Sequence, residues 1–258
     1  MTTTMANHSL SRWSGAFGLS LGVWAIIAVI RPAQADPRAV VELFTSQGCS
    51  SCPSADKVLG ELAKDPSIIA LSMPIDYWDY LGWKDTLADA RFSARQKAYS
   101  RVRGDREVYT PQAVINGSTH VIGSDRAGIE EAIDTTLKGN EVMSVPVTMT
   151  QSGKQLTVSV AASKKIPAAA HGEVWICSIS KSVPVSIARG ENRGRELTYY
   201  NVVRSLVKVG DWNGGPGSWT LPLDNVEREG VDAAVAYVQD GSRDRPGPML
   251  GAAYATLH

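Results

Sequence analysis

Two cysteines separated by two residues, Cys49 and Cys52, are the side chains in this sequence whose type and spacing point most directly to chemistry. They stand where a short apolar run ends and a helical pattern begins. At a helix N-terminus the free N–H groups and the helix dipole lower the pKa of a thiol, and the thiolate is the nucleophile. We therefore expect Cys49 to attack a partner's sulfur and Cys52, one turn further, to resolve the mixed disulfide.

Three other uses of the cysteine pair compete with this interpretation. A zinc site needs more ligands, and beyond the pair the chain after residue 35 offers only His120, His171 and His258, without metal-motif spacing. Copper could bind both thiols together with Met73 or His120. A static disulfide closing so small a loop would stabilise the fold little. Thiol–disulfide exchange is the favoured use, and it requires no metal and no cofactor.

The segment around the pair alternates between strands and helices. Residues 40–44 and 68–73 are apolar runs short enough to be buried strands. Between them, apolar residues recur at helical spacing from Cys49 until Asp65-Pro66. These elements predict a β-α-β unit with a parallel strand pair and a right-handed crossover.

The next segment predicts a helix, a hairpin and a last helix. Asp85 is expected to cap a helix that runs to about residue 102. Asn116-Gly117 is a strong hairpin signal between strands at residues 112–115 and 119–122. Ser124 is expected to cap the last helix, which has Ile129, Ala132 and Ile133 on one face. Residues 36–140 are thus predicted to be an α/β domain with the order β-α-β-α-β-β-α.

The rest of the chain has a different pattern. Alternating apolar residues on both sides of a Ser152-Gly153 turn predict a hairpin, and further strand candidates follow without a convincing helix. These candidates lie at residues 174–179, 185–188, 197–207, 219–221 and 233–238. Residues 141–258 are therefore predicted to form a smaller, all-β, sandwich-like domain.

The N-terminus has the features of a secretory signal peptide. Residues 1–14 carry Arg12 and no acidic residue, an apolar run covers residues 15–30, and Ala33-Gln34-Ala35 supplies the small residues of a cleavage site. We expect cleavage after Ala35, a periplasmic or secreted protein, and no stable membrane span after processing. No later segment approaches the roughly 18 apolar residues that a span requires.

Composition excludes two broad classes of protein. Hydrophobic residues make up 43% of the chain and charged residues 20%, which is typical of a globular protein and not of a disordered one. Lys and Arg together number 26, as do Asp and Glu, so the formal net charge is zero. This balance lacks the basic field that nucleic-acid binding requires.

The motifs together resemble the thioredoxin superfamily. The resemblance rests on the strand at residues 40–44, the Cys49–Cys52 pair that opens a helix, and Thr110-Pro111 before the third strand. The segments FTSQGCSSCPSAD, DYWDYLGWKD, VYTPQAVING and RGENRGRELTYYNVVR also resemble a family of exported bacterial proteins that have a thioredoxin-like domain and no assigned function. This second resemblance extends over nearly all of the chain after residue 35.

The resemblance implies roles for three supporting residues. Pro111 would be the cis-proline that packs beside the cysteines, and Thr110 would offer its backbone to an extended substrate. Glu42, seven residues before Cys49, could be the buried acid that accepts the proton of the resolving cysteine. Thioredoxins carry that acid six residues before their first cysteine, and the offset of one could equally point Glu42 outward. The sequence departs from thioredoxin in having Ser-Ser between the cysteines and Gly48, not Trp, before them. The direction of electron flow is left open by these differences.

Four aromatic residues follow the second predicted strand, at the same end of the sheet as Cys49. Tyr77, Trp78, Tyr80 and Trp83 could form a substrate-binding wall or pack against the second domain. The substrate-binding candidates among them are Trp78, Tyr80 and Trp83.

One further cysteine and one basic loop are predicted to have structural and not catalytic roles. Cys177 alternates with apolar residues on a strand, which predicts an inert core thiol, with pairing to Cys49 or to another chain as the alternative. Residues 189–195, RGENRGR, predict a solvated basic loop, with phosphate binding as a weak alternative.

These features together predict a periplasmic thiol–disulfide oxidoreductase that acts on protein or small-molecule thiols. The alternative is a non-catalytic module with a thioredoxin-like fold that handles copper or docks a protein.

Overall fold

The first half of the folded chain alternates strands and helices in the predicted order. The structure, a computed structural model, describes residues 1–5, 36–167 and 170–257. The elements of this half are β1 (Ala39–Thr45), α1 (Cys52–Leu62), β2 (Ile68–Pro74), α2 (Ala90–Arg103), β3 (Gln112–Ile115), β4 (Thr119–Ile122) and α3 (Arg126–Thr136). Strand β1 pairs in parallel with β2 and antiparallel with β3, and β3 forms a hairpin with β4.

The hairpin turn and the helix starts show how local sequence fixes the elements. Asn116 and Gly117 both have positive φ, as a two-residue hairpin turn requires. Helix α2 begins after Asp89, whose side chain accepts a hydrogen bond from the N–H of Arg91, and not after the predicted Asp85. Helix α3 is capped by Asp125 and not by Ser124. Each predicted cap lies just upstream of another acceptor that can also serve.

The second half consists of strands, with one short 3₁₀ turn among them. Its elements are β5 (Val147–Ser152), β6 (Gln155–Val160), β7 (Gly172–Ser186), β8 (Glu196–Trp212), β9 (Gly217–Pro222), β10 (Ala233–Ser242) and β11 (Arg245–Thr256). The candidate at residues 174–179 and the first two residues of the candidate at 185–188 belong to the single strand β7, and β11 was not predicted.

The two halves share one large sheet. Its strand order is β11-β10-β7-β8-β2-β1-β3-β4, and a separate small sheet has the order β5-β6-β9. Every residue of β2 is buried, so its outer edge needs a neighbour, and β8 supplies one. Ser72 lies opposite Val202 in this parallel pair, and Asn201 donates a side-chain hydrogen bond to the carbonyl oxygen of Ala70.

The strand-rich half contributes to two sheets and shares the larger one with the first half, so a separate sandwich-like domain is not confirmed. Four of its strands extend the first sheet, and only the three-stranded sheet lies in a second layer. Both halves belong to one compact unit, residues 35–258. The predicted boundary near residue 140 separates a helix-containing part from a sheet-rich part, and the main sheet crosses it.

Three apolar clusters fill the spaces between the layers. The first lies under α2 and joins both halves, with members such as Phe44, Met73, Phe92, Tyr99, Cys177 and Tyr237. The second lies between the small sheet and the strands β7, β10 and β11. The third lies between β1 and the helices α1 and α3. Helices thus cover both faces of β1, which holds the segment leading to Cys49 rigidly.

The N-terminal predictions fall largely outside the described residues. The apolar run and the cleavage site at Ala35 lie within residues 6–35, for which no structure is described. In the described part of the chain, no helix is long and apolar enough to cross a membrane.

Candidate functional site

The cysteine pair lies in the connection between β1 and α1. After Thr45 the chain makes a turn in which the N–H of Cys49 donates to the carbonyl oxygen of Ser46, at 3.2 Å. Helix α1 begins at Cys52, with Ser51 as the N-cap and Pro53 in the first turn. The prediction that the helix starts at Cys49 was wrong by three residues. Ser50 and Ser51, together with Pro53, favour a turn and a helix cap at these positions over a helix that begins earlier.

Cys49 and Cys52 form a disulfide with their Cα atoms 5.4 Å apart. Cys49 retains 4% exposure, whereas Cys52 is completely buried. Cys49 is therefore the less buried residue of the pair. Attack by Cys49 and resolution by Cys52 stay predictions, and they require the resolving sulfur to be the better protected of the two.

Thr110 and Pro111 lie at the same end of the sheet as the cysteine pair. Phe44 of β1 pairs with Gln112 of β3, which places Pro111 beside the end of β1, where the cysteine loop begins. The Thr110–Pro111 peptide bond is cis, as the resemblance implied. Trp78 connects this segment to the loop, because its Nε1 donates to the hydroxyl of Thr110 at 2.7 Å. A Cβ atom on Gly48 would lie 3.2 Å from the Cβ of Trp78, so the loop passes close to this side chain.

The predicted aromatic residues divide into two groups. Tyr80 is 77% exposed and stacks on Trp78, with ring centroids 6.4 Å apart, so this pair faces the surface beside the cysteine loop. Trp83 points inward, and its Nε1 donates to Oε1 of Gln47 at 2.8 Å. It also lies against Gly190 of the second half. Trp83 thus belongs to the seam between the halves, whereas Tyr80 and Trp78 do not.

The loop at residues 189–195 docks on the cysteine loop. The side chain of Asn192, which is fully buried, donates to the carbonyl oxygens of Gln47 and Cys49 at 2.9 and 2.8 Å. Glu191 accepts a hydrogen bond from the N–H of Ser50 at 3.1 Å. The interpretation as a purely solvated loop was therefore wrong, although its arginines are exposed. Its Gly-rich, polar composition conceals one side chain that is built into the site.

Glu42 does not lie where the resemblance implied. It is fully buried on the α2 side of the sheet, and Arg95 contacts its carboxylate at 2.8 Å. Tyr99 donates to the same carboxylate at 2.6 Å, and Arg95 also contacts Gln239 of β10. The residues on either side of Glu42, Val41 and Leu43, face α1. Because side chains alternate along a strand, Glu42 points away from the helix that carries Cys52, which removes it as the proton acceptor.

A different buried carboxyl group lies on the cysteine side of the sheet. Asp56 is on α1, one turn after Cys52, and is 4% exposed. Its Oδ1 accepts a hydrogen bond from the hydroxyl of Thr45 at 2.8 Å, whereas Oδ2 has no partner among the described residues. Burial raises the pKa of Asp56 to about 8, against the lowering effect of the Thr45 hydrogen bond and with a smaller raising effect of Asp85. No motif or spacing in the sequence points to this residue.

Asp85 and Tyr199 complete the polar surroundings of Asp56. Asp85 accepts hydrogen bonds from the N–H groups of Gln47 and Leu87, both at 2.8 Å. Burial raises the pKa of Asp85 despite these bonds. Burial also raises the pKa of Tyr199 on β8, and the charges of Asp56 and Asp85 raise it further. The region beneath the cysteine loop therefore disfavours negative charge.

The proposed copper ligands are dispersed. Met73 is buried in the apolar cluster under α2. His120 lies on β4, where Nδ1 contacts the hydroxyl of Tyr109 at 2.9 Å and Nε2 contacts Asp105 at 3.2 Å. In residues 1–5, 36–167 and 170–257, no group of three or more His, Cys, Asp or Glu side chains is arranged to hold a metal ion.

Cys177 is a core thiol, as predicted. It is fully buried on β7 and is not disulfide-bonded. Burial raises the pKa of the Cys177 thiol to about 12. Its position in the apolar cluster under α2 leaves it inaccessible to Cys49, which is paired with Cys52.

A sequence profile described as "Protein of unknown function (DUF1223)" matches residues 40–239, which include the cysteine pair, the cis-proline and the Asn192 loop. The chain belongs to this family. A crystal structure of a protein from Agrobacterium tumefaciens supports the assignment, with 32% identity and a TM-score of 0.76. The match covers 86% of this chain and 95% of that one.

Two further proteins are similar to this DUF1223 chain, one in sequence over part of its length and one in fold. A probable thioredoxin from Archaeoglobus fulgidus is 29% identical over 102 residues, which are 40% of this chain and 92% of that protein. HBP35 of Porphyromonas gingivalis resembles the chain in fold alone, with 12% identity and a TM-score of 0.56. That likeness covers 86% of this chain and 76% of HBP35.

Proposed function

We propose that this protein is a periplasmic thiol–disulfide oxidoreductase that acts on protein or small-molecule thiols through Cys49 and Cys52. The observation that carries the proposal is the disulfide itself, formed between a slightly exposed cysteine and a fully buried one at the start of a helix. A purely structural crosslink over so few residues would contribute little stability. A redox pair needs this arrangement, because one sulfur must be reachable and the other must be ready to displace the partner.

The surroundings of the disulfide support the same function. We assign residues 36–140 to the thioredoxin fold on the element order, the sheet order β2-β1-β3-β4 and the cis-Pro111 beside the cysteine loop. The similarity to a probable thioredoxin is consistent with this assignment. The periplasmic location rests on the signal-peptide pattern of residues 1–35.

The reaction proceeds in two exchanges. In the direction that reduces the Cys49–Cys52 disulfide, a partner's thiolate attacks Cys49, the Cys49–Cys52 bond breaks, and Cys52 leaves as a thiolate. A second thiolate on the partner then attacks its own sulfur in the mixed disulfide, and Cys49 is released. In the opposite direction the partner is reduced. The thiolate of Cys49 attacks a partner disulfide, and Cys52 then resolves the mixed disulfide, so that the Cys49–Cys52 pair is oxidised. Trp78 and Tyr80 lie where they can contact the partner during both exchanges.

Trapping of mixed disulfides tests this function. A Cys52→Ala variant should accumulate partners on Cys49, visible as adducts that dithiothreitol releases, because the resolving thiol is missing. A Cys49→Ala variant should accumulate few, since Cys52 is fully buried. Cys177→Ala is the matched control, and combining it with Cys52→Ala should leave the adducts unchanged.

Two results would refute the oxidoreductase. One is the absence of adducts on Cys52→Ala with both oxidised glutathione and periplasmic proteins. The other is tight copper binding that both single cysteine variants lose alike, without any trapping. Either result would favour the non-catalytic module.

A further inference from the structure

The position of Asp56 couples it to the resolving cysteine. The two residues are four apart on α1, and side chains at this spacing lie on one face with their Cβ atoms about 5–6 Å apart. Both are buried on the face of α1 that packs against the sheet. Asp56 is therefore the carboxyl group that α1 itself places beside Cys52.

One oxygen of this carboxyl group is available for proton transfer. Thr45 holds Oδ1, which orients the group, and Oδ2 is buried without a hydrogen-bond partner among the described residues. Leaving a buried acceptor unsatisfied is costly in a folded protein. An asparagine could accept the same hydrogen bond from Thr45 without the cost of a buried charge, so stability alone does not explain an acid at this position.

The other polar groups facing Asp56 are less suited to this role. Both oxygens of Asp85 accept backbone hydrogen bonds. Tyr199 has a pKa raised far above that of a free tyrosine, so its hydroxyl stays neutral. The ring of Tyr200 covers α1 at Gly60, one turn beyond Asp56. These groups surround Asp56 from β8 and from the loop before α2.

We propose that Asp56 takes the proton of the Cys52 thiol when the mixed disulfide is resolved, and returns it when the disulfide is opened. This inference rests on the proposed thiol–disulfide exchange. In resolution the Asp56 carboxylate accepts the thiol proton, and the electron pair of the S–H bond forms the new bond from Cys52 to Cys49. The bond between Cys49 and the partner's sulfur breaks, and the partner leaves as a thiolate.

The reverse step uses the same proton. When a partner's thiolate opens the disulfide, Cys52 becomes a thiolate in a buried environment that disfavours charge. The neutral Asp56 carboxyl group supplies a proton to that sulfur. The raised pKa of Asp56, about 8, means that the carboxyl group carries this proton at neutral pH and releases it as the pH rises through 8.

Reaction of the reduced protein with the chromogenic disulfide 5,5′-dithiobis(2-nitrobenzoate) separates the two steps. Attack by Cys49 releases the first equivalent of coloured thiolate, and resolution by Cys52 releases the second. In Asp56→Asn the first phase should stay within about twofold of the wild type, and the second should slow about tenfold or more at pH 7. The difference should shrink above pH 9, where hydroxide can take the proton.

Glu61→Gln is the matched control, because it removes an exposed carboxylate from the same helix. It should leave both phases unchanged. Equal second-phase rates in the wild type and Asp56→Asn across the pH range would overturn the role of Asp56 while leaving the oxidoreductase intact. A wild-type protein that releases neither equivalent would instead overturn the proposed function, and the inference with it.

A measurement on the unmodified protein tests the inference should Asp56→Asn fail to fold. The ¹³C resonance of the Asp56 carboxyl group, followed by NMR against pH, should titrate near 8 in the disulfide form. Its titration should shift on reduction, because the Cys52 thiol then titrates with it as a coupled pair. A carboxyl group that titrates near 4 in both forms would refute proton transfer.

Discussion

At the scale of single residues, two buried carboxyl groups of the first half, those of Glu42 and Asp56, have opposite surroundings. Glu42 meets a guanidinium and a tyrosine hydroxyl, which stabilise its charge. Burial destabilises the charge of Asp56, the nearby Asp85 adds to this effect, and the hydroxyl of Thr45 opposes it only in part. The first carboxylate therefore has a structural role, and the second is suited to proton exchange.

Substitutions at Glu42 test this division. Glu42→Gln should lower the free energy of unfolding by about 3–5 kcal/mol, because it leaves the guanidinium of Arg95 buried without its charged partner. The double variant Glu42→Leu/Arg95→Met should lose less, since no charge then stays buried. Urea unfolding measures both. The second phase of the chromogenic reaction should stay at the wild-type rate in folded Glu42→Gln, and a slowed phase with unchanged stability would restore the role that the resemblance implied.

The orientation of Glu42 and the burial of Asp56 could not be predicted from the sequence. A strand's alternation predicts that neighbours face opposite sides, but it does not say which side α1 will cover. A shift of one residue relative to the thioredoxin pattern decided the outcome for Glu42. Asp56 gave no signal, because a single acid beside Ala55 on an amphipathic helix is as easily exposed as buried.

At the scale of elements, the loop at residues 189–195 acts as a clamp on the cysteine loop. Asn192 provides the only side-chain donors to two carbonyl oxygens, those of Gln47 and Cys49, among the contacts in the described residues. Both carbonyls belong to residues that are buried. The clamp therefore holds the cysteine loop in place, and we expect it also to limit the approach to the sulfur of Cys49.

An Asn192→Ala variant should show both effects. The free energy of unfolding should fall by about 1–3 kcal/mol, because the buried carbonyl oxygen of Gln47 loses its side-chain donor and that of Cys49 keeps only the N–H of Cys52. Dithiothreitol should reduce the disulfide faster than in the wild type, as measured by timed alkylation and mass spectrometry. Arg193→Ala, an exposed change in the same loop, is the control and should match the wild type. An Asn192→Ala protein with unchanged reduction kinetics would show that the clamp does not restrict access.

The elements themselves were predicted unevenly. Strands β3 and β4 have the predicted bounds, because Asn116-Gly117 fixes both the turn and the register. Helix α1 begins three residues later than predicted, because helical periodicity shows which face of a helix is apolar but does not show at which residue the helix begins. The clamp could not be predicted, because its contacts join residues more than 140 positions apart.

At the scale of the whole molecule, the redox site depends on both halves of the chain. The main sheet continues from β2 into β8, and the cluster under α2 contains side chains from both sides of the predicted boundary. The sheet-rich half supplies Asn192 to the cysteine loop and Tyr199 to the surroundings of Asp56. Alternation in the sequence predicted most of its strands, but pairing between distant strands has no local signature.

The reduction potential of the Cys49–Cys52 pair shows whether the pair exchanges electrons with thiols or is only a structural crosslink. The intact protein is equilibrated in thiol–disulfide buffers of graded potential, and the fraction of disulfide is read by alkylation and mass spectrometry. We predict one two-electron transition between about −270 and −120 mV, the range of known thiol–disulfide oxidoreductases. A pair that stays oxidised in buffers below about −300 mV would be a structural crosslink, and this result would contradict the proposed oxidoreductase function.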